Sequence, residues 1–301
     1  SMPNAIGAGI VVNNATVEQI NIVNSGSITS AMQMFNNCSS LQSVPLFNTS
    51  LVTNMNNMFA NCKSLQSVPL FDTSLVTDMN GMFSGCDSLQ SVPLFNTSLV
   101  TNMAGMFGSC YSLQSVPLFN TSSVTNMSSM FDSCYSLRSI PLFNTSAVTN
   151  MSWMFANSIL TELPVGFDTS SVTDMSGMLA DTFITSIPVL NTSAVTNMSD
   201  LFSGCYYLVD AQNITLWNIS SVTNMSYMFS GCSSLQSVPL FNTSSVTNMS
   251  SMFNSCYSLR SIPSLNTSSV TYMNYMFGWS CLTKLPPGFD TSSVTDMSGM
   301  L

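Results

Sequence analysis

A Met-Phe dipeptide returns along this chain on a fixed schedule: Met34-Phe35, Met58-Phe59, Met82-Phe83, Met106-Phe107, Met130-Phe131 and Met154-Phe155 stand 24 residues apart. The series continues through Met178-Leu179, Leu201-Phe202, Met228-Phe229, Met252-Phe253 and Met276-Phe277 to Met300-Leu301, with one step of 23 and one of 27. A unit this short cannot enclose a core alone, whereas stacked copies bury a continuous one. About twelve units therefore point to a solenoid whose interior is made of ladders of like side chains.

Each part of the consensus carries a local expectation. In "VTNMNNMF" the residues Met55, Met58 and Phe59 stand at i, i+3 and i+4, the spacing of one helical face. Thr53 sits where an N-cap belongs, and Asn54, Asp78 and Asn102 would follow it at the positive end of a short helix. After Cys62, Val68 and Leu70 alternate with Ser67 and Pro69, which predicts a short strand with one buried face. The column Pro45, Pro69, Pro93, Pro117 and Pro141 cannot donate ladder bonds, so pairing should stop there. "FNTS" then predicts a turn in which Asn or Asp bonds its own backbone two residues on. One coil thus contributes Val52, Met55, Met58, Phe59, Cys62, Leu65, Val68, Leu70 and Phe71 to the expected core.

The phrase "MFxxCxSLxSVPL" resembles the repeat grammar of BspA-like leucine-rich repeat surface proteins. "FDTSSVTDMSGM" at 289–300 is similar to a related surface-protein repeat of unknown function. The resemblance implies an α/β solenoid, a leucine-rich-repeat-like right-handed coil of about twelve 24-residue repeats, each with one short parallel strand and one short helix. It also implies display on a cell or virion surface with adhesion as the role, and it supplies no catalytic residues to carry over.

Residues 1–30 read as a tag scar followed by an N-terminal cap, apolar but off the repeat pattern; residues 31–301 read as the repeat solenoid, truncated in mid-repeat. "PVGFDTSSVTDMSGML" at 164–179 returns as "PPGFDTSSVTDMSGML" at 286–301, which indicates duplication of a five-coil block. The three extra residues between Asp210 and Leu216 predict a local bulge.

Composition narrows function. Four basic residues against thirteen acidic ones give a net charge of −9, which offers nothing to neutralise phosphates, so nucleic acid and anionic membranes are excluded as partners. No apolar run is long enough for membrane insertion. Without histidine, a serine nucleophile would need a lysine or carboxylate base, and Lys63 and Lys284 lie in unrelated coils. The pairs Asp72 with Asp78, Asp168 with Asp174 and Asp290 with Asp296 occupy columns that elsewhere hold Asn, so turn and cap duty accounts for them. The cysteines share one column, with Cys281 shifted by one, and read as buried free thiols, since in-register neighbours have parallel rather than converging Cβ vectors. Neither metal-ligand spacing nor a cofactor motif is present, and the expectation is a non-enzyme without cofactor or metal.

Function is then left to the outer coat. The candidate binding residues are the column Gln42, Gln66, Gln90 and Gln114, joined by Tyr111, Tyr135, Arg138 and Ser139, because Tyr and Arg are enriched where binding energy concentrates. Trp153, Tyr227 and Tyr275 share a position that elsewhere holds Gly or Ser and should be exposed, whereas Trp217 replaces a column phenylalanine and should be core. The leading expectation is recognition of a host or neighbouring-cell surface protein or glycan by an extracellular protein. A tail-fibre, receptor-binding or spacer segment with self-association, or attachment to a larger parent chain, is the alternative. Ice binding through the Thr53, Thr77, Thr101, Thr125 and Thr149 column is a third and needs a second outward threonine column.

Overall fold

The structure is a computed structural model and describes residues 28–301. The described residues fall into two compact units, the first running to Ala147 with Pro164–Gly166, and the second Val148–Leu163 with Phe167–Leu301. Of the cap expected over 1–30, residues 1–27 lie outside the described residues, and Ser30 already pairs with Asn54 in a parallel bridge. In the first unit this pairing runs on through Asp78 and Asn102 to Asn126. In the second it runs from Asn150 through Asp174, Asn197, Asn224, Asn248 and Tyr272 to Asp296. The coils stack in parallel, as a solenoid requires, but their local parts differ from expectation.

The Met-Phe segment is not a helix. In the coil of Met55, the N–H groups of Met58, Ala60 and Cys62 donate three residues back, to the carbonyls of Met55, Asn57 and Phe59, at 3.0–3.1 Å. The alternate N–H groups, those of Met55, Asn57, Phe59 and Asn61, donate instead to Asp78, Asn80, Met82 and Ser84 of the next coil at 2.7–3.0 Å. Asn56 closes the gap by donating its N–H to Asn54 Oδ1 at 2.8 Å. Every N–H from Met55 to Cys62 is therefore satisfied by a run of tight turns interleaved with a parallel ladder, which meets the demand that buried backbone groups be paired. A helix would spend all its donors inside one coil and leave nothing to join the stack.

Two of these turns place their third residue in the left-handed region, as type II turns do. The first such column has Gln33, Asn57, Gly81, Gly105 and Ser129 in the first unit, and Trp153, Gly177, Asp200, Tyr227, Ser251, Tyr275 and Gly299 in the second, with φ between 52 and 60°. A second column, four residues on, includes Asn61 at φ 61° and Gly85 at φ 70°. Thr53 is not a helix cap. It is exposed, and both its N–H and its hydroxyl point to the Thr29 carbonyl, at 2.9 and 3.3 Å.

The strand expected over 64–70 is also absent. Ser64 and Gln66 each donate one N–H to the preceding coil, to Ser39 and Gln42. Cys62, Leu65 and Phe71 are buried and Val68 is half-buried, a spacing of three rather than the alternation of a strand. That period corrects the core: Leu70 is exposed, not buried. The "FNTS" turn forms as expected, with Asn48 Oδ1 accepting from the N–H and the hydroxyl of Ser50 at 3.0 and 2.8 Å. The buried Thr49, Thr73, Thr97 and Thr121 hydroxyls bond carbonyls of the following coil at 2.8 Å. The insertion before Trp217 forms a 3-10 helix, Gln212–Leu216, rather than a bulge, and buries Ile214.

Val52, Met55, Met58, Phe59, Cys62 and Leu65 have no solvent exposure. Phenylalanines from successive coils stack in each unit: Phe35, Phe59, Phe83, Phe107 and Phe131 at centroid separations of 5.2–5.8 Å, and Phe202, Phe229, Phe253 and Phe277 at 5.7–5.9 Å. Trp217 is buried against Phe202, and its indole N–H donates to the Pro188 carbonyl at 3.2 Å.

Cysteine joins this core by hydrogen bonding as well as by size. The thiols of Cys62, Cys86, Cys110 and Cys134 donate to the Phe35, Phe59, Phe83 and Phe107 carbonyls of the preceding coil at 3.0–3.2 Å. In the second unit Thr182 takes the cysteine position and donates to the Leu179 carbonyl at 2.7 Å. Ser158 takes it with a buried hydroxyl that has no partner. An unmet buried hydroxyl is costly, so Ser158→Ala should raise stability by about 1 kcal/mol and Thr182→Ala should lower it by a similar amount. The shift in urea midpoint measures both.

Candidate functional site

The coil architecture sorts outward side chains into columns. Gln42, Gln66, Gln90 and Gln114 are all exposed on the segment after the cysteine, and backbone bonds of 3.0 Å from Gln66 to Gln42 and from Gln114 to Gln90 hold them in register. The neighbouring serines Ser43, Ser67, Ser91 and Ser115 are exposed beside them. Tyr111 and Tyr135, 42% and 52% exposed, stack at a centroid distance of 5.2 Å and an interplanar angle of 13°. The Ser136 hydroxyl ties their coils by donating to the Tyr111 carbonyl at 2.7 Å. Arg138 and Ser139 are exposed three and four residues beyond Tyr135. The first unit thus carries all eight sequence-derived candidates on its surface and brings the two tyrosines into direct contact.

Sequence reasoning missed an apolar column. Leu46, Leu70, Leu94, Leu118 and Leu142 are 50–66% exposed, one per coil of the first unit. Leu51, Leu75 and Leu99 form a shorter second row, 43–49% exposed. The signal was available in the period of three from Cys62 to Phe71, which leaves the residue after proline facing out. Single exposed leucines need no explanation, but a register of five does, because contiguous apolar surface marks interaction sites. Trp153, Tyr227 and Tyr275 are exposed as expected, and the Trp153 indole lies over Gly177 as the Tyr275 ring lies over Gly299.

The other tempting groups have structural partners. Asp72 Oδ1 accepts from the Ser74 N–H at 3.0 Å and Asp78 Oδ1 from the Asn80 N–H at 2.9 Å. Asp168, Asp174, Asp290 and Asp296 do the same with Ser170, Ser176, Ser292 and Ser298 at 2.9 Å. The Ser74 hydroxyl and N–H hold the Asp72 carboxyl below the usual carboxylate range. These are turn-forming carboxylates, not acid/base pairs. Burial pushes the Cys62, Cys134 and Cys256 thiols up to about 12, and Cys86, Cys110 and Cys232 well above their ordinary value, which disfavours the reactive thiolate in these positions. Among the described residues, no cluster of three His, Cys, Asp or Glu could hold a metal ion, and no helix is long and apolar enough to cross a membrane. The threonines give one outward column, since Thr49, Thr73, Thr97, Thr121 and Thr145 are buried. The second outward threonine column that ice binding needs is not formed.

Comparison with known proteins places this architecture. A leucine-rich repeat protein of Eubacterium ventriosum is similar over 92% of this chain and 86% of its own, at 19% identity and a TM-score of 0.50. A leucine-rich repeat protein of Bacteroides ovatus matches at 18% identity and a TM-score of 0.34, over 86% of this chain and 82% of its own. A leucine-rich cell surface protein of Faecalibacterium prausnitzii matches at 19% and 0.31, over 84% and 78%. The first of these shows the leucine-rich-repeat fold. No curated protein matches. The model of the family described as "Mycoplasma protein of unknown function, DUF285" matches residues 10–115, 64–162, 160–259 and 233–301. With nearly its whole length matched in overlapping blocks, and with the parallel coils just described, the chain belongs to the DUF285 family of BspA-like leucine-rich repeats.

Proposed function

We propose that the first unit recognises a protein partner outside the cell, through the face made by its exposed leucine and glutamine columns and the Tyr111–Tyr135 stack. The observation that carries this reading is the register of Leu46, Leu70, Leu94, Leu118 and Leu142, each at least half exposed. Burying such a column against a partner supplies the hydrophobic gain that a purely polar coat cannot, at about 25 cal/mol per Å² of apolar surface. Gln66, Gln90 and Gln114 then provide hydrogen bonds along the same segment, and Tyr135 with Arg138 provides the residue types that most often dominate binding energy. Eight of the nine free thiols are buried, Cys281 being half-buried, so the buried column is compatible with an oxidising exterior. Recognition, not chemistry, is the function this surface serves.

The experiment compares the wild-type protein with a Leu94→Ser, Leu118→Ser, Tyr135→Ala, Arg138→Ala variant on arrays of purified extracellular proteins and of glycans. The expected result is binding to one or more proteins that weakens about tenfold or more in the variant, with unchanged thermal unfolding. Binding confined to glycans, or protein binding that the variant retains, would overturn the reading and favour a polar carbohydrate face or a spacer.

A further inference from the structure

The second unit contains a groove that the repeat grammar does not require. It is open to solvent, has a volume of about 360 Å³ and is lined by Asp181, Gly204, Tyr206, Gly231, Tyr257 and three serines. Its floor follows the second left-handed column, where other coils carry Asn37, Asn61 and Asn157 at φ 63, 61 and 55°. Gly231 leaves that amide volume open, whereas at Gly204 the Asp181 carboxylate occupies it. The Asp181 carboxylate lies across Gly204, where a Cβ would collide with Asp181 Oδ1. The corresponding Cβ position of Gly231 is 3.4 Å from the Gly204 Cα and 4.0 Å from Tyr206 Cε1. A carboxylate and a tyrosine ring thus flank two adjacent glycines, with Tyr257 on the rim.

The Asp181 side chain is exposed to solvent and makes no hydrogen bond or ion pair among the described residues. An unpaired carboxylate attracts a cation by its charge. Tyrosine rings attract the same kind of guest through their negative faces. Glycines let it approach closely. We propose that this groove binds an alkylammonium group, held by the Asp181 carboxylate and the rings of Tyr206 and Tyr257. The site is independent of the recognition face of the first unit. A saccharide could also meet the rings and serines, but it would gain little from the negative charge, and that difference decides the test.

Titration calorimetry on the full chain would use choline as a free quaternary ammonium, N-acetyl-Gly-Lys-Gly amide as a chain-borne primary ammonium, and 3,3-dimethylbutan-1-ol as the uncharged isostere of choline. At least one cation should bind about tenfold or more tightly than the isostere, and which of the two binds identifies the source. Asp181→Asn and Gly231→Asn install the residue that the column already carries, so the fold is kept. Asp181→Asn should weaken the cation by about tenfold by removing the charge, and Gly231→Asn should abolish binding by filling the groove while thermal unfolding stays unchanged. No saturable binding of either cation up to about 10 mM, equal binding of the isostere, or binding indifferent to Asp181→Asn would each overturn the proposal.

Discussion

Replacing Phe229 with alanine is expected to lower the stability of the second unit by about 3–5 kcal/mol, the range for removing a fully buried aromatic side chain. Phe229 has no solvent exposure and lies between Phe202 and Phe253, with centroids 5.7 Å away on either side. The stack cannot close over the gap. Neighbouring coils are held at fixed spacing by backbone bonds such as Phe229 N–H to the Met252 carbonyl and Phe202 N–H to the Met228 carbonyl, both 3.0 Å. The cavity therefore persists, and the loss should fall near the top of the range. Leu240→Ala is the control: that leucine belongs to the outward column at 64% exposure, and its truncation should cost less than about 0.5 kcal/mol. Urea denaturation followed by far-ultraviolet circular dichroism gives both values. Similar losses for the two would mean that exposure and burial are not partitioned as described.

Gly177→Val should cost about 2–5 kcal/mol, and Gly105→Val about 1–3 kcal/mol, a difference that separates backbone strain from crowding. Both glycines sit at φ 60° in the first left-handed column, a conformation that β-branched residues strongly resist. An added Cβ at Gly105 meets nothing within 4 Å, so only the backbone is tested there. At Gly177 it would collide with the Trp153 indole, which covers this glycine from the preceding coil. Trp153 is 40% exposed and has room to swing into water, which would lower the crowding cost and shift tryptophan emission to the red. Denaturation midpoints together with the emission of a W217F/W279F background, in which Trp153 is the remaining tryptophan, separate the two routes. Equal costs at both glycines, with no spectral change, would show that Trp153 does not rest on Gly177.

The same column explains the failed helix prediction. Met55, Met58 and Phe59 have helical spacing, but that spacing is shared by two successive turns, and apolar periodicity cannot distinguish them. Glycine could have. Gly81, Gly105, Gly177 and Gly299 recur at the middle of the supposed helix, and Gly85, Gly204 and Gly231 recur four residues later. Glycine and asparagine are poor inside helices and favoured where φ is positive, so their recurrence four apart was the readable sign of paired turns. Trp153, Tyr227 and Tyr275 concealed it, because bulky residues rarely adopt φ near 57°. They tolerate it here because the inter-coil bonds fix the backbone irrespective of the residue.

The candidate surface was legible to a similar degree. Gln42 to Gln114, Tyr111, Tyr135, Arg138 and Ser139 are exposed in the columns where a repeat reading puts them. The leucines were lost because a strand turns alternate residues inward, whereas the real path turns in every third. The groove at Asp181 was not legible at all. Its residues come from four coils, and only the stacking places the Asp181 carboxylate over Gly204 and brings Gly231 beside them.

The 24-residue period by itself determined that the chain would stack, that methionine, phenylalanine and cysteine would form inward ladders, and that any activity would lie on the outer coat. It could do so because a short apolar unit has no other way to leave water. Tertiary structure decided whether each coil spends its N–H groups on itself or on its neighbour. The answer, alternate donors to each, follows from the neighbouring coil presenting the same carbonyls in register, a fact no single repeat contains. That choice set the turns, exposed the leucine column, and left a groove beside Gly231, at a position where other coils carry asparagine.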